Sequence, residues 1–314
     1  MTNLKVVLIG EFDDSDLIRV RDQFATADHE VTFLPLGLSA DDYEVSWEIG
    51  NSPVISHADT SIDVEVLNMS HGVLFKLWTM DERPLVASNL KDPSDRPFAE
   101  REWNATLLCA IQTLLGSTTS LTYGSPREAA WHDWKPFVLG EAIRAGLHVP
   151  ATRIATAHAD FAESVVKSVN ANPSVADSEY FPTTAVTSEV GLALRESTGV
   201  PNLVQKRVRR ERERRVIVVG DRLLTVEFRV DSDVIDARYL DHFEITDAAI
   251  TPARASALGR FAQHMGFSYC CFDCIIDSRN YEWLIDVTPR GSWQWLEEED
   301  DPTISRLVAE ILRS

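Results

Sequence analysis

The chain is 314 residues long, with 44% hydrophobic and 25% charged residues, proportions ordinary for a globular protein with room for two or three domains. Its 49 Asp and Glu against 30 Lys and Arg give a net charge of -19, which disfavours a general nucleic-acid binder or a protein that lies on anionic membranes. No apolar run approaches a membrane span, Lys5 and Glu11 interrupt the start, and four cysteines are too few for a disulfide framework. No nucleic-acid or membrane partner is therefore expected, and the cytoplasm is the expected location.

The chain opens as an α/β unit. Lys5–Gly10 reads as a buried strand, Asp14–Asp28 has helical periodicity, and Glu30–Pro35 returns as a second strand. The turn between them lacks a G-x-G-x-x-G pattern, so it gives no support to a dinucleotide site. Further apolar runs such as Gly72–Trp78 carry no assignable chemistry. Phe98–Leu115 reads as an amphipathic helix through Trp103, Leu107, Ile111 and Leu114, and the Gly116–Ser120 cluster after it reads as a domain boundary.

A second unit begins near Leu121. Ser125-Pro126 opens a helix in cap style, and a further helix runs over Pro136–Ala145 to Gly146. Val149–Thr152 leads into Arg153–Thr156, and Lys167 lies in the apolar strand Ser164–Val169. Two lysines on separate elements of a small lobe can clamp a polyphosphate as point charges. Lys206–Arg215 then holds seven basic and two acidic residues, a local reversal of sign in an acidic chain, read as a loop between strands Asn202–Gln205 and Arg215–Val219. Gly220-Asp221 turns into a strand over Leu223–Phe228.

Near the C-terminus, Ser268–Ile276 and Glu282–Thr288 read as a hairpin. With Ser278–Tyr281 as its loop, Asp277 faces Glu282 and Asp273 faces Asp286. Like charges directly across a sheet repel, so the pair is either two solvated acids on an exposed edge or two carboxylates with a positive charge held between them. Hard oxygen ligands at this spacing suit Mg²⁺ held together with phosphates, with Thr288 on the same face as a third oxygen. Cys271 and Cys274 form a lone C-x-x-C without the further ligands of a zinc site, and the histidines share no spacing. Trp293 and Trp295 line a peptide groove or pack internally. Glu297–Asp301 is expected to be a solvated acidic loop, followed by a closing helix over Pro302–Leu312.

Taken in order, these motifs resemble the ATP-grasp superfamily and, within it, the graspetide synthetases that mature ribosomally made peptides. The resemblance rests on Phe98-Ala-Glu-Arg-Glu102, Tyr123-Gly-Ser-Pro126 with Lys135, Val149-Pro-Ala-Thr152, Val166-Lys167, Pro182-Thr-Thr184 and Leu203-Val-Gln-Lys-Arg-Val208. It continues through Glu213-Arg-Arg-Val216, Val219-Gly220, Asp236-Ala-Arg238, Asp273 and Asp286-Val-Thr-Pro-Arg-Gly291, with Trp293 and Trp295 beyond.

The resemblance implies an α/β (α+β) ATP-grasp fold: an N-terminal pre-ATP-grasp domain over 1–118, a central lobe over 119–202 and a C-terminal lobe over 203–314, the last two enclosing a nucleotide cleft. It implies ATP held by Lys135 and Lys167, with Gln205, Lys206, Arg207, Val208 and Glu213 around adenine. Arg215 and Arg238 would neutralise the transferred phosphoryl group and the acyl phosphate, and Asp273, Asp286 and Thr288 would hold Mg²⁺. Asp286 and Thr288 depart from the Glu and Asn usual in the family, giving a shorter carboxylate and a weaker neutral ligand. The implied activity is activation of Asp or Glu side chains in a precursor peptide with a leader and an acidic core, giving ester or amide crosslinks. Arg209 and Arg210 would meet that acidic core, and a homodimer is implied. The rival readings are an amino-acid or small-peptide ligase and a non-catalytic nucleotide- or peptide-binding relative.

Overall fold

A computed structural model describes residues 4–25, 29–77, 92–155, 163–169, 183–185, 201–229, 235, 244–246, 250–298 and 301–314. The chain divides into two compact units, residues 1–129 with 290–314 and residues 130–289.

In the first unit, β1 (Lys5–Glu11), β2 (Glu30–Leu36), β6 (Gly72–Lys76) and β7 (Leu121–Tyr123) form a parallel sheet in the order β2-β1-β6-β7. Val6–Ile9 are buried on both faces, as a central parallel strand requires, which is why β1 reads as an unbroken apolar run. Gly10 is required by the closeness of β1 to β6, because a Cβ there would stand 2.1 Å from the Lys76 carbonyl oxygen. Helix α1 (Ser15–Ala25) follows β1, its start satisfied by Asp14 Oδ1, which accepts from the Leu17 N–H at 3.0 Å. An antiparallel meander of β3 (Tyr43–Ser46), β4 (Val54–His57) and β5 (Thr60–Ile62) leads through the short helix α2 (Val64–Asn68) to β6.

Helix α3 (Arg96–Ser117) buries Leu107, Ile111 and Leu114, the stripe its periodicity predicts. The predicted boundary at 118 falls inside this unit, because the chain after α3 adds β7 beside β6 and then the short helix α4 (Pro126–Ala129). The last residues return as well: the C-terminal helix α7 (Thr303–Leu312) packs against α1 and β6.

That return is locked by polar contacts. Lys76 is buried between the Asp14 and Asp16 carboxylates, 2.9 Å from Asp16. Asp16 accepts from the backbone N–H groups of Trp293 and Gln294, and the Trp293 indole donates to Ser305 Oγ at 3.0 Å. Trp293 is therefore a core residue rather than part of a groove. The expectation of a solvated 297–301 loop fails at Glu297, whose buried carboxylate accepts from the Ser305 N–H and hydroxyl at 2.6 and 2.8 Å, satisfying the start of α7.

In the second unit, helix α5 (Lys135–Arg144) precedes an antiparallel sheet of β8 (Thr152–Ala155), β9 (Ser164–Lys167), β10 (Thr184–Ala185) and β11 (Asn202–Lys206), ordered β10-β9-β11-β8. A larger antiparallel sheet runs β14-β13-β12-β15-β16, from β12 (Arg212–Val219), β13 (Arg222–Arg229), β14 (Glu244–Thr246), β15 (Tyr269–Ile276) and β16 (Glu282–Thr288). Helix α6 (Pro252–Met265) is capped by Thr251 and ended by Gly266 in the left-handed conformation. Val138, Val216, Phe261, Phe272 and Leu284 meet in the core beneath α5 and α6, each large side chain contributing about 1.5–3 kcal/mol by burial.

Candidate active site

The hairpin of β15 and β16 brings Asp273 opposite Asp286, as the sequence predicts, but by a different route. Its loop is one residue longer than predicted. Asp277 belongs to it, its Oδ1 accepting from the N–H groups of Arg279 and Tyr281 at 2.9 Å, and Asn280 supplies the left-handed turn. Glu282 consequently pairs with Ile276 and not with Asp277. A bulge between Asp273 and Cys274 then restores the register: Cys274 pairs with Leu284, Asp273 with Asp286, and Ile285 is the additional residue. The two deviations cancel at the aspartates.

The bulge has a second consequence. The Ile285 carbonyl accepts a 3.1 Å hydrogen bond from Lys167 Nζ, which arrives from the end of β9. Lys135, the first residue of α5, places its Nζ 2.9 Å from Asp286 Oδ2. One strand further in, Arg215 is paired in register with Asp273, and its guanidinium lies 2.7 Å from Asp273 Oδ1. Arg215, Asp273 and Asp286 thus form one rung across β12, β15 and β16, all on the same sheet face.

The electrostatics follow from that rung. Burial alone would raise the Asp286 carboxyl, but Lys135, Lys167 and His132 outweigh it and hold its pKa down to about 2. Burial opposes the charge on Arg215 in the same way, and the Asp273 carboxylate together with Cys271 and Tyr269 outweighs it, keeping the guanidinium a cation. Thr288 is buried two residues beyond Asp286, on the rung shared with Cys271. Two carboxylates and a hydroxyl on one face are donors of the kind Mg²⁺ takes alongside phosphate oxygens, so these side chains fit that ion. Among the described residues no cluster of three or more His, Cys, Asp or Glu forms a closed metal cage. Cys271 and Cys274 cannot make one together, since they face opposite sides of β15.

Of the residues predicted around adenine, Gln205 is buried and its amide donates to Thr152 Oγ1 at 3.0 Å, tying β11 to β8. The backbone N–H groups of Lys206 and Arg207 donate to the carbonyls of Ala151 and Glu163, both at 2.8 Å. Lys206 is exposed and Arg207 and Val208 are half-buried. Glu213 is bound to Arg210 at 2.6 Å. Arg238 lies outside the described residues.

The basic segment is a loop only over 207–211. β12 begins at Arg212, three residues earlier than predicted, and strand alternation sends Arg215 to one face and Arg212 and Arg214 to the other. Arg210 is 8% exposed, and besides Glu213 it donates to the Ile235 carbonyl at 2.7 Å, which removes it from any surface an acidic peptide could meet. Arg209 is exposed, as predicted. Glu227, which the sequence reading passed over, receives both Arg212 and Arg214 at 2.7 Å, and Glu282 receives Arg214 and Arg254. The Gly220-Asp221 turn would have predicted the Arg214–Glu227 pairing by counting outward along the hairpin. Arg212, Arg214, Arg254 and Glu282 line a cleft of about 620 Å³ beside the start of α6, with His148 and Asn280 at its wall.

No protein-family model matches the sequence, and no curated protein matches it. Solved structures do. The macrocyclase MdnC from Microcystis aeruginosa MRC, bound with precursor peptide MdnA, is 17% identical with a TM-score of 0.77, covering 98% of this chain and 99% of that one. A Chryseobacterium gregarium RiPP-associated ATP-grasp ligase, in complex with ADP and a leader and core peptide, is 16% identical with a TM-score of 0.73, covering 98% and 96%. A RimK domain ATP-grasp protein from Sphaerobacter thermophilus is 14% identical with a TM-score of 0.55, covering 99% and 100%. The chain has the ATP-grasp fold.

Proposed function

We propose that this protein is an ATP- and Mg²⁺-dependent ligase that activates Asp or Glu side chains of a ribosomally made precursor peptide and closes ester or amide crosslinks. The rung of Arg215, Asp273 and Asp286, met by Lys135 from α5 and Lys167 from β9, is the observation that carries it. The fold shared with enzymes solved with precursor peptides and with ADP supports the same reading.

A carboxylate resists attack by amine or hydroxyl because its oxygen leaves poorly. Transfer of the γ-phosphoryl group from ATP gives an acyl phosphate and ADP. Attack by a Lys amine or a Ser or Thr hydroxyl then forms the new bond, expels inorganic phosphate and gives up the nucleophile's proton. Bound Mg²⁺ would screen phosphate charge and align the transferring group. The protein's share is positioning: Lys135 and Lys167 are placed for phosphate oxygens, Asp273 and Asp286 for the ion, and Arg215 for charge that develops on the phosphoryl group. We place the peptide's acidic stretch at exposed Arg209.

Among the described residues no helix is long and apolar enough to cross a membrane. The free cysteines, three of them buried in β15, support a reducing cytoplasm. A homodimer belongs to the same proposal and is checked by sedimentation.

The test is ADP release from purified protein given ATP, Mg²⁺ and an acidic precursor peptide, with the peptide's mass followed. Peptide-dependent ADP release with loss of one water per bond supports the reading. ADP release that tracks free amino acids instead would make the protein an amino-acid ligase, and nucleotide binding without turnover would make it a binding protein.

A further inference from the structure

The residues assigned to two different ligands are bonded to each other. Lys135, assigned to nucleotide phosphate, has its Nζ 2.9 Å from Asp286 Oδ2, an oxygen assigned to the metal. The other Asp286 oxygen accepts from the Val287 N–H at 2.9 Å, so the Lys135 ammonium holds the oxygen that a cation would use. Both side chains are largely buried, 10% and 23% exposed, so breaking the pair without replacement leaves a poorly solvated charge on each side. Lys167 differs: its Nζ donates to the Ile285 carbonyl, next to the carboxylate rather than on it.

We propose that Lys135 is an internal counter-ion that couples metal and nucleotide binding: each ligand must take Lys135 off Asp286, and each therefore lowers the cost of binding the other. This rests on the reading of the rung as the Mg²⁺–ATP centre. A divalent cation arriving alone displaces the ammonium and strands it without a partner. A nucleotide arriving alone draws the ammonium to phosphate and strands Asp286. Arriving together, the two ligands satisfy both groups. Linkage makes the effect reciprocal: nucleotide raises metal affinity by the factor by which metal raises nucleotide affinity.

The experiment uses Mn²⁺ as the probe, with free Mn²⁺ read by electron paramagnetic resonance on the whole chain, with and without ADP. Wild type is expected to bind Mn²⁺ weakly alone and at least about tenfold more tightly with ADP. Lys135→Met should tighten Mn²⁺ binding in the absence of ADP by about tenfold, since the competitor is gone, and should shrink the enhancement by ADP. Lys167→Met removes equal charge from beside the site and should tighten Mn²⁺ binding by less than about threefold, because Lys167 donates to the Ile285 carbonyl and occupies neither Asp286 oxygen, so only its field is lost. Lys135→Arg keeps the counter-ion and should leave wild-type Mn²⁺ affinity, which separates the effect from misfolding. Equal tightening in the Lys135→Met and Lys167→Met variants, or none in Lys135→Met, overturns the coupling while leaving the site intact. Failure of wild type to bind Mn²⁺ with ADP at all would instead overturn the active-site reading.

Discussion

The two faces of the large antiparallel sheet use the same residue types to opposite ends. On one face, Asp273 and Asp286 meet one guanidinium and one ammonium that come from separate elements, with part of each carboxylate open to solvent. On the other, Glu227 is shared by Arg212 and Arg214, and Glu282 by Arg214 and Arg254, in a continuous network whose acids are 1% and 13% exposed. The first arrangement can exchange its partners for ligands, whereas the second cannot open without stranding several charges. Alternation along a single strand, Arg214 against Arg215, decides which side each arginine serves.

Asp273→Asn breaks that contrast most severely. It removes a charge from the rung while keeping the shape, and we expect ADP formation to fall by about a hundredfold or more, read in a coupled assay. Full activity would remove Asp273 from the site. On the opposite face, Glu227→Gln should destabilise the fold by about 3–5 kcal/mol in urea unfolding, because two arginines lose their shared partner. The remaining folded protein should keep its nucleotide affinity. Loss of affinity at unchanged stability would reverse the assignment of the two faces.

Acid separates the faces through Asp286. Its folded pKa lies near 2, below the ordinary 3.8, so the pair with Lys135 stabilises the fold above about pH 4 and that contribution fades as pH falls from there toward 2. The stake is at most about 2 kcal/mol at one pKa unit per 1.36 kcal/mol, and it should be missing in Asp286→Asn when unfolding is followed against pH. The smallest effect divides two neighbouring residues. Arg209→Glu should weaken an acidic peptide by about threefold, as for an exposed charge, while Arg210→Glu should cost stability by breaking the Glu213 pair. Similar peptide effects from both would show that Arg210 is accessible after all.

Much of this was legible in the chain. β1 and α3 followed from continuous and 3.6-residue apolar patterning, and the Asp273–Asp286 pair from simple alternation. That pair was reached through two compensating deviations, the longer Asp277–Tyr281 loop and the bulge at Ile285, and neither leaves a pattern in single-sequence periodicity. The basic segment misled because composition reports charge and not partners: Glu227 and Glu282, distant in sequence, draw Arg212 and Arg214 inward. The 118 boundary misled for a similar reason, since β7 joins the first sheet through pairing with β6 that no local signal announces. The contact of Lys135 with Asp286 spans 151 positions and depends wholly on how α5 is set against β16.

A crystal structure with Mg²⁺ and a non-hydrolysable ATP analogue tests the central claim most directly. The account predicts an ion about 2.1 Å from carboxylate oxygens of both Asp273 and Asp286, bridging to phosphate, with Lys135 moved onto a phosphate oxygen. A nucleotide bound elsewhere, with Lys135 and Arg215 still on the two aspartates, would contradict it.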